Sequence, residues 1–333
     1  MRPLTPSPLQ DPLQRHLNYL RVSITDRCNL RCCYCAPGGI LDKLPHAEIL
    51  RYEEILRLVR VGAGLGISKV RVTGGEPLVR RGVVGFLAAL GRQPGLTDVS
   101  LTTNGVLLER HLEGLAAAGV RRLNISLDTL DRDKYRRITG GDYFPAVWRA
   151  VLSALGAGFH PIKLNVVVMR GINDDEVPRL AALSRDLPVH VRFIEFMPMG
   201  CAQEHAARFL SNQEVRRRVE TLGALSPAGD AGEQGPAERW RLADGQGEIG
   251  FISPISHHFC GRCNRLRLTA SGRLRACLLS DRELDLKPLL RHGGSDADLA
   301  EIFQAAARAK PAGHDLQAPS HDAIHSPMCR IGG

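Results

Sequence analysis

The stretch Leu17-Asn18-Tyr19-Leu20-Arg21-Val22-Ser23-Ile24-Thr25-Asp26-Arg27-Cys28-Asn29-Leu30-Arg31-Cys32-Cys33-Tyr34-Cys35 decides the fold. Its first nine residues alternate as a strand does, and the loop after them carries Cys28, Cys32 and Cys35 at CxxxCxxC spacing. A strand that delivers a chemistry-bearing loop is the first half of a βα unit. The same rhythm recurs downstream, with strands expected at 69–73, 98–103, 121–127, 162–169 and 189–196. Helices are expected between them at 52–63, 83–90, 107–118, 146–157 and 176–183. Six units rather than eight imply an α/β fold of the incomplete, laterally open (β/α)6 barrel type, although a doubly wound sheet has the same linear pattern.

Three thiolates at this spacing can bind three irons of a cubane whose usual complement is four cysteines, which leaves one iron open. A structural zinc site wants four ligands, and no fourth follows within the loop. The second expected strand ends in Thr73-Gly74-Gly75-Glu76-Pro77, where two glycines permit close backbone approach and a neighbouring acceptor suits an ammonium group. Gly62, Gly64 and Gly66 follow a helix and precede a strand, the wrong order for a dinucleotide fingerprint, and read as helix termination.

Beyond residue 200 the rhythm changes. A helix is expected after Ser211 as N-cap, with Glu214 completing a capping box. Residues 226–238 are rich in Pro, Gly, Ala and acids and read as a linker, so the expected division is 1–225, a 226–238 linker, and a smaller α+β domain at 239–333. Within that domain 265–269 and 273–275 form two strands around a Gly272 turn, and 296–309 a helix. The tail is expected to be irregular. Cys260, Cys263 and Cys277 form a second trio, again one ligand short. By spacing alone zinc, with His257 or His258 as fourth ligand, and an iron-sulfur cluster are equally open. Asn264, Arg265, Arg267, Arg273 and Arg275 lie among these cysteines; arginines suit phosphate or a purine edge, while a solvated hairpin face is the plain alternative for Arg273 and Arg275.

The chain has 333 residues, 44% of them hydrophobic and 24% charged, which excludes a disordered protein. No apolar run is long enough for a membrane helix and residues 1–12 lack a signal-peptide core, so the cytoplasm is the expected address. A net charge of +9 favours a polyanionic partner, nucleic acid or a phosphorylated small molecule. Nine cysteines, an odd number, point to metal or thiolate chemistry rather than a disulfide framework. Cys33, Cys201 and Cys329 fall outside the two trios and read as incidental thiols.

Thr25-Asp26-Arg27-Cys28-Asn29, Gly250-Phe251-Ile252-Ser253-Pro254, Phe259-Cys260, Cys263-Asn264-Arg265-Leu266-Arg267-Leu268-Thr269 and the terminal Gly332-Gly333 together resemble the GTP 3',8-cyclases of molybdenum cofactor biosynthesis, a family of the radical S-adenosylmethionine (SAM) superfamily. The resemblance implies two 4Fe-4S clusters, on Cys28, Cys32 and Cys35 and on Cys260, Cys263 and Cys277. The first cleaves SAM to a 5'-deoxyadenosyl radical and methionine; the second presents its open iron to the guanine ring of GTP. Loss of the ribose 3' hydrogen, attack of the sugar radical on C8 and reduction of the resulting radical by one electron and a proton then give 3',8-cyclo-7,8-dihydro-GTP, which a separate cyclic pyranopterin monophosphate synthase consumes. It also implies SAM contacts at Tyr34, Gly75, Glu76, Ser126 and Met197. GTP contacts are implied at Arg21, Arg71, Thr102, Lys163, Arg265, Leu266 and Arg267, and a double-glycine tail reaching the site. No membrane or nucleic-acid partner is implied, the electron donor is not specified, and a homodimer is compatible with it. Two alternatives stand beside this reading: another radical SAM enzyme with an auxiliary cluster, acting on a peptide, and a zinc-stabilised nucleic-acid-binding protein.

Overall fold

The computed structural model describes residues 8–36, 43–229, 235–314, 324–326 and 328–332. Its first six strands are β1 (Tyr19–Ser23), β2 (Lys69–Thr73), β3 (Asp98–Thr103), β4 (Arg122–Ser126), β5 (Ile162–Val168) and β6 (Val189–Glu195). They are all parallel and pair in the order of the sequence. That order decides between the two architectures, because a doubly wound sheet reverses its strand order at a switch point, whereas a barrel winds on in one direction. The barrel is open, since β1 and β6 do not meet.

Strands from the last third of the chain cover both of those edges. They are β7 (Leu225–Pro227), β8 (Glu238–Leu242), β9 (Glu248–Ile252), β10 (Arg265–Leu268), β11 (Arg273–Arg275) and β12 (Leu284–Asp285). β9 runs parallel to β6, with Phe251 opposite Phe193, and β10 runs parallel to β1, with Arg267 opposite Arg21. The expected linker is shorter than its composition implied, since its flanks are the paired strands β7 and β8, with residues 230–234 outside the described part. The hairpin at β10 and β11 forms as read.

The helices are α1 (Tyr52–Gly64), α2 (Val83–Gly91), α3 (Leu112–Ala117), α4 (Arg132–Thr139), α5 (Phe144–Gly156), α6 (Val177–Asp186), α7 (Asn212–Val219), α8 (Lys287–Arg291), α9 (Asp296–Arg308) and α10 (Met328–Ile331). The tail is thus not wholly irregular. Ser211 caps α7 by accepting from Glu214 N at 3.3 Å, but the Glu214 carboxylate does not close a capping box; it turns outward to Arg170, at 3.0 and 3.2 Å. Helix α4 is absent from the pattern reading because only Tyr135, Ile138 and Thr139 of its eight residues are buried.

Strand alternation builds two faces of opposite chemistry. One set, including Leu20, Val22, Val70, Val72, Leu101, Leu123, Ile125, Leu164, Val191, Leu266 and Leu268, is buried in a continuous apolar layer with Ile55, Leu58, Leu87, Val147 and Ala150 of the helices. Each such side chain contributes about 1.5–3 kcal/mol of burial. The opposite set lines the barrel and is polar: Tyr19, Arg21, Arg71, Ser100, Thr102, Asn124, Ser126, Lys163, Asn165, His190 and Arg192. A hydrophobic shell holding a charged interior positions everything that follows.

Candidate functional site

The first cysteine loop leaves the C-terminal end of β1, the end where barrels of this kind carry their chemistry. It is held from three sides. Gly75 N donates to Thr25 O at 2.6 Å and Glu76 N to Arg27 O at 2.7 Å, which presses the second-strand turn onto the loop backbone. A Cβ on Gly75 would lie 2.4 Å from Arg27 O, and one on Gly74 2.8 Å from Thr25 O, so only glycine permits the contact. The close approach expected there is therefore to the cysteine loop. Tyr34 Oη donates to Asp128 Oδ2 at 2.7 Å, tying the loop to the end of β4. Asn104 Nδ2 donates to Asn29 Oδ1 at 2.8 Å and lies 3.7 Å from Cys28 Sγ.

Glu76 departs from its expected role as an open acceptor. Its carboxylate is fully buried and accepts from Leu78 N at 3.0 Å, Thr103 Oγ1 at 2.8 Å and Asn104 N at 2.6 Å, while burial raises its pKa to about 7. Its work is internal: it fixes Asn104, and Asn104 fixes Cys28.

Cys28, Cys32 and Cys35 are free thiols, half-buried together. Burial pushes the thiols of Cys28 and Cys32 up, Cys32 the further, with the charges of Asp128 and Cys28 acting on it in the same sense. The hydrogen bond from Cys329, and then burial, raise Cys35. A cationic metal centre reverses that sign and deprotonates coordinating thiols outright, so three half-buried soft donors on one short loop fit an iron-sulfur centre. Among the described residues no three His, Cys, Asp or Glu side chains converge tightly enough for one metal ion. A cluster asks for wider spacing, one thiolate on each iron. Cys33 points away, packing beside Ile138, Met169 and Phe196 and bonding Arg208. Cys329 is not incidental: on α10 it is buried against Cys35. The Cys201 side chain and Gly333 lie outside the described residues.

The second trio sits at the other end of the same strands. Cys263 precedes β10, whose first residue Arg265 pairs with Tyr19 at the start of β1, and Cys277 follows β11 at that same level. From the Tyr19 level to the Ser23 level is four residues, roughly 13 Å at about 3.3 Å each. Across this interval runs a row of guanidinium groups in register, Arg267, Arg21 and Arg71 on β10, β1 and β2. Arg21 is pushed well below its ordinary pKa by burial and then by the charges of Arg267, Arg71 and Arg265. Arg267 falls to about 10 for the same reasons, burial first and Arg265 second. Crowded buried cations of one sign call for an anion. A second register line carries Thr102, Asn124 and Lys163 on β3, β4 and β5. Tyr19 Oη, Thr102 Oγ1, Asn124 Oδ1 and Asn165 Oδ1 are buried on this wall without a hydrogen bond, donors and acceptors available to a ligand.

The remaining expected contacts divide. Ser126 stands on the interior face, level with Asn165. Met197 packs against Met199, Ile324 and Ile331, where the tail docks. Arg265 lies over the Phe259 ring, 4.8 Å from its centroid, and lines with Cys260, Cys277 and His314 a cavity of about 70 Å³. Leu266 is a correction: alternation sends it to the apolar layer, wholly buried behind the sheet. Arg275 is neither ligand nor solvated, being fully buried and paired with Asp281 at 2.8 Å and Glu283 at 3.3 Å. Arg273 stays half-exposed beside Glu283 and Asp285. Gly332, with φ +76°, enters the barrel mouth; its carbonyl accepts from Arg267 Nη1 at 2.9 Å, and a Cβ there would lie 2.8 Å from Thr73 Cγ2.

With that geometry in hand, comparison with known proteins agrees across the chain. The sequence model of the radical SAM superfamily matches residues 22–183, and that of Molybdenum Cofactor Synthesis C matches 189–316. The GTP 3',8-cyclase of Moorella thermoacetica is 50% identical over 309 residues, 93% of this chain and 96% of that protein. That of Pelotomaculum thermopropionicum is 48% identical over 98% of this chain and all of its own length. The chain belongs to the GTP 3',8-cyclase family of the radical SAM superfamily. Among solved structures, Streptococcus suis SuiB bound to precursor peptide SuiA covers 94% of this chain and 76% of its own, with a TM-score of 0.62 at 13% identity, a likeness of fold alone.

In this member of the cyclase family several supporting residues carry no motif and escaped the sequence reading. Glu195 is fully buried at the end of β6 and accepts from Asn212 N at 2.9 Å, Ile255 N at 3.0 Å and Ser256 N at 2.9 Å, so it holds the loop leading to Cys260. Arg15, in a buried pair with Asp11, donates to Cys260 O at 2.5 Å and Pro311 O at 2.7 Å. No described helix is long and apolar enough to cross a membrane.

Proposed function

We propose that this chain is a radical SAM GTP 3',8-cyclase that converts GTP to 3',8-cyclo-7,8-dihydro-GTP, the first step of molybdenum cofactor biosynthesis, in the cytoplasm. The observation that carries the reading is the row Arg267, Arg21 and Arg71, the first buried and the other two partly so, running between two cysteine trios at opposite ends of β1 and β10. An iron-sulfur cluster with SAM supplies the 5'-deoxyadenosyl radical. Cys28, Cys32 and Cys35 would hold that cluster, and Cys260, Cys263 and Cys277 a second one at the far end.

The chain's own residues then have separable tasks. Tyr34, Gly75, Ser126 and Met197 surround the mouth, where SAM would lie; Asp128 orients Tyr34 and Glu76 acts through Asn104. Arg21, Arg71, Lys163, Arg265 and Arg267 supply converging cationic donors of the kind a triphosphate needs, while Thr102 and Asn124 offer hydrogen bonds on the same wall. Guanine would face the second trio and the ribose the first. The docked tail covers the mouth, excluding water from a radical site. The product then passes to a separate synthase, and an external one-electron donor is required.

The test is direct. The protein is purified anaerobically, reconstituted with iron and sulfide, and incubated with dithionite, SAM and GTP. The expected result is 5'-deoxyadenosine together with a cyclised guanosine nucleotide. Deoxyadenosine formed equally without GTP, and no new nucleotide, would overturn the cyclase assignment.

A further inference from the structure

Lys310 lies two residues beyond α9, far in sequence from every cysteine of the trios, yet its side chain is buried among the second of them. It is only 6% exposed. Its Nζ donates to Arg265 O at 2.8 Å and to Ala276 O at 2.7 Å, and bonds the Cys263 thiol. Arg265 follows Cys263 by two residues and Ala276 immediately precedes Cys277. One ammonium group therefore pins together the two strands, β10 and β11, that bring these cysteines into one place.

Its charge is as informative as its bonds. Among the described residues no Asp or Glu pairs with Lys310; burial lowers its pKa, the groups that favour its charged form are Cys263 and Cys277, and the cation facing it is Arg15. Arg15 differs in that its own charge is balanced by Asp11, with both side chains buried. Burying an ammonium group is costly unless an anion compensates it. The bracing of the trio is thus divided: the neutralised Arg15 holds the Cys260 backbone and Pro311, while the cationic Lys310 stands toward the thiols of Cys263 and Cys277.

We propose that Lys310 is a positioning residue for the second iron-sulfur centre: it clamps the strands carrying Cys263 and Cys277 and supplies the fixed positive charge that balances their thiolates. This rests on the two-cluster reading above. A fixed positive charge beside a cluster favours the reduced, more negative state, so Lys310 raises the potential at which the second centre accepts an electron.

The experiment uses the full-length chain with Cys28, Cys32 and Cys35 replaced by alanine, so that any cluster is at the second trio. Iron and sulfide are counted, the midpoint potential is read by a redox titration followed by electron paramagnetic resonance, and iron loss to a chelator is timed. Lys310→Met is expected to shift the midpoint to lower potential and to speed iron loss by about tenfold or more. Lys310→Arg, which keeps the charge, is expected to restore the potential, an effect that a purely steric clamp would not show. If the parent loads iron and Lys310→Met matches it in potential and in iron loss, the proposal is overturned alone. If Lys310→Met loads too little iron to titrate, the charge-bearing Lys310→Arg decides: a parent-like potential supports the proposal and a lowered one overturns it. A parent that takes up no iron removes the two-cluster reading, and the proposal with it.

Discussion

The two cysteine trios of this molecule solve one problem in opposite ways. The first is carried by a single eight-residue loop behind one strand, and its braces, Gly75, Asn104 and Asp128, come from the next strands of the same barrel. The second is assembled from two separate stretches and braced from both ends of the chain, by Asp11 and Arg15 near the start and Lys310 near the finish. A local site can be written as a motif. An assembled site is written in the fold, and its supports are invisible until distant segments meet.

The sharpest way to break that contrast is to remove one cysteine from each. Cys28→Ala is expected to abolish 5'-deoxyadenosine formation altogether, whereas Cys277→Ala is expected to leave some uncoupled SAM cleavage while losing the cyclised nucleotide; chromatography of both products decides. Full retention of product by Cys277→Ala would end the idea of a second site. Next comes Gly75→Ala, whose methyl group collides with the loop backbone. Iron analysis should show the first trio failing to load while the second, in a chain that still folds, loads as before.

A smaller effect follows from Asp11→Asn, which leaves Arg15 buried with its counter-charge gone. The expected cost is about 3–5 kcal/mol in urea unfolding, and iron lability should rise at the second trio only. Equal lability at both trios would mean that the bracing is not divided as described. The smallest is a pH effect outside both trios. His190 on the barrel wall has its pKa lowered to about 4, by burial first and against the pull of Glu248. Its unfolded value is near 6.5, so between these values the unfolded chain takes up a proton that the folded chain refuses. Stability is therefore full above about pH 6.5 and falls as the pH drops toward 4, by up to about 3 kcal/mol. Denaturant melts across that range should show the slope, and His190→Gln should flatten it.

How much of this was legible follows the same contrast. The six barrel strands were readable to within two residues because each alternates an aliphatic residue for the outer layer with a polar one for the interior. Arg21, Arg71 and Lys163 came from the family resemblance, and strand periodicity agrees in turning each to the interior side of its strand. It should equally have warned against Leu266, which alternation places opposite Arg265 and Arg267. Glu76 misled because an acid beside glycines reads the same whether it faces a ligand or three backbone and hydroxyl donors. Helix α4 hid behind its charged surface, although Asp131 caps it, accepting from Lys134 N at 2.7 Å, and Gly140 ends it at φ 72°. The pairing of β9 with β6 and of β10 with β1 joins segments far apart in the chain, and no local pattern encodes that.

Those two pairings also impose an order of events on synthesis. A ribosome that has finished β6 has released a parallel sheet whose edges, β1 and β6, are both bare, and the strands that cover them end at Leu268. At about 5–20 residues per second the intervening 73 residues take roughly 4–15 s. Until Ile252 is made the nascent chain presents two unpaired strand edges, and the β1 edge stays bare until Leu268, the feature that invites aggregation and chaperone attention. A message truncated within that stretch would yield a protein with every cysteine of the first trio in place and no finished sheet to hold them.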